Sequence, residues 1–351
     1  MSTIIGGQVL RDMVNNWIGD GKRVGGPGYV GNHLILYRWL HRSDELLLES
    51  YPRPHNSIKE FLFPSHEKLY HYKIDGQHIE LSEAVLPDAQ QIIFAARPCD
   101  AASLPILDHV FNWDYRDVFY NRRRSLTTVV TLACQDHDAH CFCTSVGGGP
   151  DDERGSDAML FALGQDQYEV RCFTDKGKAL FEGKLEESTR VGKVGPGPER
   201  RLDLETVREF LKTDFESPLW ERQTLRCIGC GACAYNCPTC HCFDITDEKV
   251  GSAGVRMRSW DSCQMAMFTV HASGHNPRSR QPQRQRQRIY HKFEIYPSKF
   301  GEILCTGCGN CSRVCPVGLG ITPVLTAIQE EQAARAGTGA AQEAGREKVD
   351  Q

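Results

Sequence analysis

The chain writes Cys-x-x-Cys-x-x-Cys-x-x-x-Cys-Pro twice, as CIGCGACAYNCP at residues 227–238 and CTGCGNCSRVCP at 305–316. Three thiols at two-residue gaps wrap one loop around a single centre, and the fourth lies a helical turn further on, aimed away from it. A [4Fe-4S] cubane needs four thiolates, so each triplet must take one sulfur from elsewhere, and a doubled motif supplies it crosswise. On this logic Cys227, Cys230 and Cys233 take Cys315, while Cys305, Cys308 and Cys311 take Cys237, which makes the two clusters neighbours. Glycines inside both loops allow the backbone to bend and aim N–H groups at sulfur, and Pro238 and Pro316 stand where helices can start. Zinc sites favour four-ligand sets without the doubled triplet and its Cys-Pro ending.

Sixteen cysteines in a small secreted chain would suggest a disulfide scaffold, but this chain has 351 residues and clusters its cysteines at metal-ligand gaps. The N-terminus MSTIIGGQVLRDMVNNW has no signal-peptide pattern, and no apolar run is long enough to span a membrane, so a cytoplasmic protein is expected. The net charge of −4 gives no bulk attraction for nucleic acid or anionic lipid.

The predicted fold class is α+β overall, an N-terminal α/β domain followed by a mainly helical dicluster ferredoxin-like domain. Short β-branched and aromatic runs (NHLILYRWL, KLYHYKIDG, QQIIFAA, LTTVVTLA, QYEVRCF) read as strands, and AASLPILDHVF between them reads as a helix. The first domain spans 1–186, and the Gly/Pro/charge-rich segment 187–202 reads as a linker. The second domain spans 203–328, opening with a helix capped by Asp203. Residues 329–351, rich in Ala, Gly and charge, read as a disordered or frayed tail. Unlike a compact two-cluster ferredoxin, the chain puts 67 residues between Cys237 and Cys305, and that insertion must itself be structured.

Eight cysteines remain. Cys99 and Cys134 end strand-like runs, and Cys141 and Cys143 follow in HCFC, so four thiols gather at one side of an α/β sheet, where ligand sites belong. They are candidates for a third cluster, set against buried or redox-active thiols. Cys240, Cys242 and Cys263 are one short of a cubane set, and a fourth cluster there would need Asp261, His241 or a backbone group to complete it. Cys172, in a strand, reads as a small buried hydrophobe. The run GPGYVG at 26–31 satisfies G-x-G-x-x-G, but with no strand before it and no helix after it a hairpin turn is expected. Arg278, Arg280, Arg284, Arg286, Arg288 and Lys292 form a basic run without an aromatic platform, better suited to surround an anionic cluster or dock a partner than to bind nucleic acid.

Across residues 50 to 325, KEFLFPSHEKLY, ARPCDAASLPILDHVF, CFCTS, CIGCGACAYNCPTCHCFDI, WDSCQ, ASGHNPR, RQRIYHKF and CTGCGNCSRVCPVGLGI occur in that order. The chain thereby resembles the iron–sulfur β subunits of cytosolic NAD(P)-linked nickel–iron hydrogenases, or sulfhydrogenases, and their iron–sulfur relative in anaerobic sulfite reductase. The resemblance implies a non-catalytic electron-transfer subunit between the small and large subunits of a nickel–iron hydrogenase and a flavin-containing NAD(P)-binding subunit. It also places Cys99, Cys134, Cys141, Cys143, Cys240, Cys242 and Cys263 on cysteines of the family pattern. Three alternatives stand beside it: electron transfer in anaerobic sulfite reductase, a polysulfide- or disulfide-reducing enzyme using the extra thiols, and a zinc-binding interaction module.

Overall fold

The computed structural model describes residues 2–48, 51 and 53–347. The fold is α+β, with its first half organised on an eight-stranded sheet. The strands are β1 (Ser2–Gly6), β2 (Arg23–Val30), β3 (Leu34–Leu40), β6 (Gln91–Ala96), β7 (Thr127–Leu132), β8 (Ala158–Gly164), β9 (Gln167–Cys172) and β10 (Glu186–Ser188). A second sheet of four comprises β4 (His66–Asp75), β5 (His78–Glu83), β11 (Phe243–Val250) and β12 (Ala253–Trp260). The large sheet runs β10-β1-β9-β8-β7-β6-β2-β3, with β2, β6, β7 and β8 parallel and antiparallel strands at both edges.

The parallel centre explains the unbroken apolar runs there. QIIFAA in β6 is buried at every position, because both faces are covered. Ile92 and Phe94 pack on one side with Leu10, Val14 and Trp17 of the helix Gly7–Gly19, while Ile93 packs on the other with Leu104 and Leu107 of the helix Ser103–Phe111. Near its end β6 breaks register against β7, and Ala95 takes φ +56, a left-handed conformation rare for a side-chain-bearing residue. The Tyr51 hydroxyl donates to the Ala95 carbonyl at 2.6 Å. This bend turns the chain into Arg97-Pro98-Cys99 at the carboxyl end of the sheet.

Several expectations change. GPGYVG leads into a hairpin turn, as expected, but most of it is strand: residues 26–30 lie inside β2, and the turn into the antiparallel β3 begins at its last residue, Gly31, with φ +62. The insertion between the cysteine motifs carries the hairpin β11–β12, whose outer strand is exposed along its whole length. Such a strand is held by backbone pairing and has no buried face to leave an alternating signature. Since β12 pairs with β4, this small sheet draws two strands from each side of residues 187–202.

The 187–202 segment is itself packed. The Gly192 N–H donates to Glu169 Oε2 at 2.6 Å, and the Gly195 N–H donates to the Cys134 carbonyl at 2.9 Å. In place of a frayed tail, the final helix Ile321–Glu347 runs through most of residues 329–351, and residues 348–351 lie outside the described residues. Its first turns bury Ile321, Val324, Leu325 and Ile328 in the core of the second half, with Val207, Phe210 and Trp220.

Many specific bonds join the two halves, among them the β4–β12 ladder and the buried Arg258–Glu67 ion pair. Another is that of the Tyr296 hydroxyl, which donates to the Ile106 carbonyl at 2.7 Å from a side chain 2% exposed. Tyr296→Phe keeps the ring and removes this bond, so a loss of roughly 1 kcal/mol is expected in chemical denaturation of the loaded protein. An unchanged midpoint would show that the bond adds nothing to cohesion.

Candidate cluster centres

The two cysteine motifs fold alike. Gly229 and Gly231 have φ +68 and +72, Gly307 and Gly309 have +65 and +75, and each loop runs into a one-turn helix, Ala232–Tyr235 or Asn310–Arg313. At Gly307 the positive φ coincides with a close approach: an added Cβ would lie 2.5 Å from the backbone of Cys143.

Cys227, Cys230, Cys233 and Cys315 line one cavity, with Gln264, Gln285, Val317 and Leu319. The second motif thus brings its last cysteine to the first motif's triplet. N–H groups reach these sulfurs: Leu319 N to Cys315 Sγ at 3.1 Å and Gln281 Nε2 to Cys227 Sγ at 3.3 Å. On the other side Cys237 lies near cysteines of the second triplet. It is buried, close enough to Cys305 and Cys308 for their charges to interact, and Lys292 acts on both Cys237 and Cys305. Burial pushes the Cys233 thiol up to about 11 and Cys305 up to about 12, so ligation there must displace protons.

The cations come from the basic run, and the structure turns three of them inward. The helix Gln281–Tyr290 widens into a π turn at His291–Ile295, a distortion frequent at functional sites. Lys292, on that turn, donates to Cys237 Sγ at 3.3 Å, Thr239 Oγ1 at 3.1 Å and the Leu304 carbonyl at 3.0 Å. Arg284 is buried and occupied by backbone carbonyls of Arg278, Ser279 and Gln264. Arg284, Arg288 and Lys292 are therefore not a docking surface.

Arg288 is the telling residue. Its side chain is 2% exposed, and none of its three guanidinium nitrogens has a hydrogen-bond partner among the described residues. Burial lowers its pKa, but Cys233, Cys311, Cys240 and Cys237 outweigh that and raise it. An unpaired buried guanidinium is costly unless an anion sits beside it. A thiolate-ligated [4Fe-4S] cluster is such an anion, so these residues fit the group the motifs imply. Among the described residues, no three His, Cys, Asp or Glu side chains close on one point as a single ion requires.

A second four-thiol cavity lies at the carboxyl ends of β6 and β7. Cys99, Cys134, Cys141 and Cys143 line it together with Arg53 and Gly307. The other three thiols form pairs instead: Cys240 bonds to Cys237, and Cys242 bonds to Cys263. Accepting the Cys242 hydrogen bond is the main reason the Cys263 thiol falls to about 6. The Asp261 carboxylate accepts from the Ser262 N–H, and His241, brought down to about 4 mainly by burial, meets His291 edge to face at 5.4 Å between centroids. Cys172 sits opposite Ala158 on β9 and packs against the large-sheet core. Sequence reasoning missed two contributors, Lys59 and Arg53. The Lys59 ammonium donates to the Cys240 carbonyl at 3.1 Å and lies 4.2 Å from the Trp260 ring centroid. Neither residue stands near a cysteine motif in sequence, so only tertiary packing reveals them.

Fold and thiols together define an iron–sulfur protein of the dicluster ferredoxin type. A family model described as a 4Fe-4S dicluster domain matches residues 226–319. Sulfhydrogenase 2 subunit beta of Pyrococcus furiosus is 32% identical over 323 residues, covering 88% of this chain and 92% of that protein. No solved structure matches the chain. The chain belongs to the family of sulfhydrogenase β subunits, and its dicluster domain supports [4Fe-4S] clusters as cofactors. Among the described residues, no helix is long and apolar enough to cross a membrane.

Proposed function

We propose that this chain is a non-catalytic electron-transfer component of a soluble, cytoplasmic oxidoreductase complex, set between the small and large subunits of a nickel–iron hydrogenase and a flavin-containing NAD(P)-binding subunit. The observation that carries the reading is Arg288, a buried guanidinium that interacts with thiols of both cysteine motifs. Bound at those motifs, [4Fe-4S] clusters supply one-electron chemistry. The protein's part is to hold them side by side: Cys227, Cys230, Cys233 and Cys315 around one, and Cys305, Cys308, Cys311 and Cys237 around the other. Arg288, Lys292 and Lys59 offset the negative charge that reduction adds, and the N–H groups of Leu319 and Gln281 do the same at single sulfurs.

Anaerobically loaded protein is expected to hold at least about eight irons per chain, as two cubanes require. Iron and sulfide analysis decides it, and fewer than about six irons would remove the paired-cluster reading. For the partners, the tagged chain is purified anaerobically from its native host at low salt, and hydrogen-dependent reduction of NAD(P) is assayed on whatever accompanies it. Flavin and nickel–iron subunits are expected. A sirohaem subunit with sulfite-reducing activity would instead assign the chain to a sulfite reductase.

A further inference from the structure

The cavity at the sheet's carboxyl edge is unexplained by two clusters. Its four thiols come from separate places: Cys99 from the one-turn helix Pro98–Ala101 after β6, Cys134 from the residue pair after β7, Cys141 from the loop beyond, and Cys143 from the start of the short helix Cys143–Val146. In open α/β sheets this crevice is where ligands bind. The empty space here is about 370 Å³ including its mouth, against about 360 Å³ for the cavity of Cys227, Cys230, Cys233 and Cys315.

A second observation is Arg53. Its side chain is only 10% exposed. One Nη donates to Cys99 Sγ at 2.9 Å and reaches Asp100 at 3.4 Å, while its Nε has no hydrogen-bond partner among the described residues. Arg53 also lies near Cys141 and near Cys308, which belongs to the second ferredoxin motif. Four packing thiols would be neutral and leave the buried guanidinium only Asp100 as a counter-ion, with its Nε unpartnered, whereas four thiolates on iron would give it a second anion.

We propose that Cys99, Cys134, Cys141 and Cys143 hold a third [4Fe-4S] cluster, packed against the Cys305 loop, with Arg53 wedged between it and the second cluster. The inference rests on the proposed iron–sulfur role. Proximity is built into the backbone: the Phe142 N–H donates to the Gly307 carbonyl at 2.9 Å, and Gly307 has no room for a side chain against Cys143. The Gly195 contact with Cys134 closes the 187–202 segment over the far side, where Pro196 and Pro198 complete the wall. Arg53, Asp136 and His137 also line a wider neighbouring cleft, so this centre lies at the outer end of the row.

The test uses the full chain, loaded anaerobically, beside Cys134→Ala and Arg53→Met. Wild type is expected to hold about twelve irons and Cys134→Ala about eight, with one of three paramagnetic centres lost from the reduced spectrum and the other two unchanged. Arg53→Met leaves every thiol in place and should lower the midpoint potentials of two centres, the one that Cys134→Ala removes and the second cluster, which Arg53 also faces. About eight irons in both proteins would overturn the third site while leaving the dicluster reading standing. About four irons in wild type and none in Cys134→Ala would support this site and defeat the dicluster reading instead. Should Cys134→Ala not fold, an Arg53→Met spectrum and potentials identical to wild type overturn the proposal.

Discussion

Arg288→Met is expected to lower the midpoint potentials of both ferredoxin-type clusters by roughly 100 mV, while their iron content is kept. The guanidinium is buried, interacts with Cys233 of the first motif and Cys311 of the second, and has no competing hydrogen-bond partner among the described residues. At a separation of about 6 Å and an effective dielectric of about 20, one charge on another is worth on the order of 3 kcal/mol. Since about 1.4 kcal/mol corresponds to 59 mV for one electron, the full effect is about 120 mV, with reduction disfavoured because the compensating cation is gone. Burial also makes the shift insensitive to salt. Arg286→Met is the control, because that side chain pairs with Glu216 and stacks on Phe215 at 3.6 Å. Redox titration followed by EPR separates the cases. Shifts below about 30 mV in Arg288→Met, or equal shifts in both variants, would mean that Arg288 serves packing and not the clusters.

How far the sequence already carried this arrangement depends on which interactions are local. The doubled cysteine motif is local: its gaps, its glycines and its following helical turn are set within twelve residues each, and both loops fold as their spacing implies. The buried parallel strands are nearly as legible, because both faces are covered and the runs are β-branched or apolar, with QIIFAA buried throughout and TTVVTL at all but one position. The hairpin β11–β12 was not legible, since FDITDEKV buries nothing and is held by pairing with β12. The basic run misled for a different reason. A charge run is ordinarily solvated, but here a helical period and a π turn rotate Arg284, Arg288 and Lys292 inward, the last two toward thiols and Arg284 onto backbone carbonyls. Residues 187–202 read as a tether because they lack periodicity, although extended chain can satisfy its N–H groups against neighbours such as Glu169 and Cys134. Arg53 and Lys59 were invisible for want of any sequence neighbour sharing their role.

Cys237→Ala should empty or degrade the cluster of Cys305, Cys308 and Cys311, and leave intact the cluster held by the loop in which Cys237 itself resides. A motif-by-motif reading predicts the opposite, so the variant discriminates between them. The crosswise expectation rests on three contacts: Cys315 on the wall of the Cys227 cavity, Lys292 bonded to both Cys237 Sγ and the Leu304 carbonyl, and Thr239 Oγ1 donating to that same carbonyl at 2.9 Å. Cys237 is thereby tied to the start of the second loop. One complication is built in, because Cys240 is buried beside Cys237 and hydrogen-bonded to it, near enough to replace the missing ligand. Cys237→Ala/Cys240→Ala removes that substitute, and an intact second cluster in the single variant but not in the double would identify Cys240 as the rescuing thiol. In the double variant one cubane signal should persist and the other be a three-iron centre or absent, a loss of about one to four irons per chain. Assignment of the surviving signal comes from Cys230→Ala, which should remove it, because Cys230 belongs to the first triplet on either arrangement. If Cys230→Ala instead removes the signal that Cys237→Ala removed, each motif serves its own cluster and the crosswise geometry is wrong.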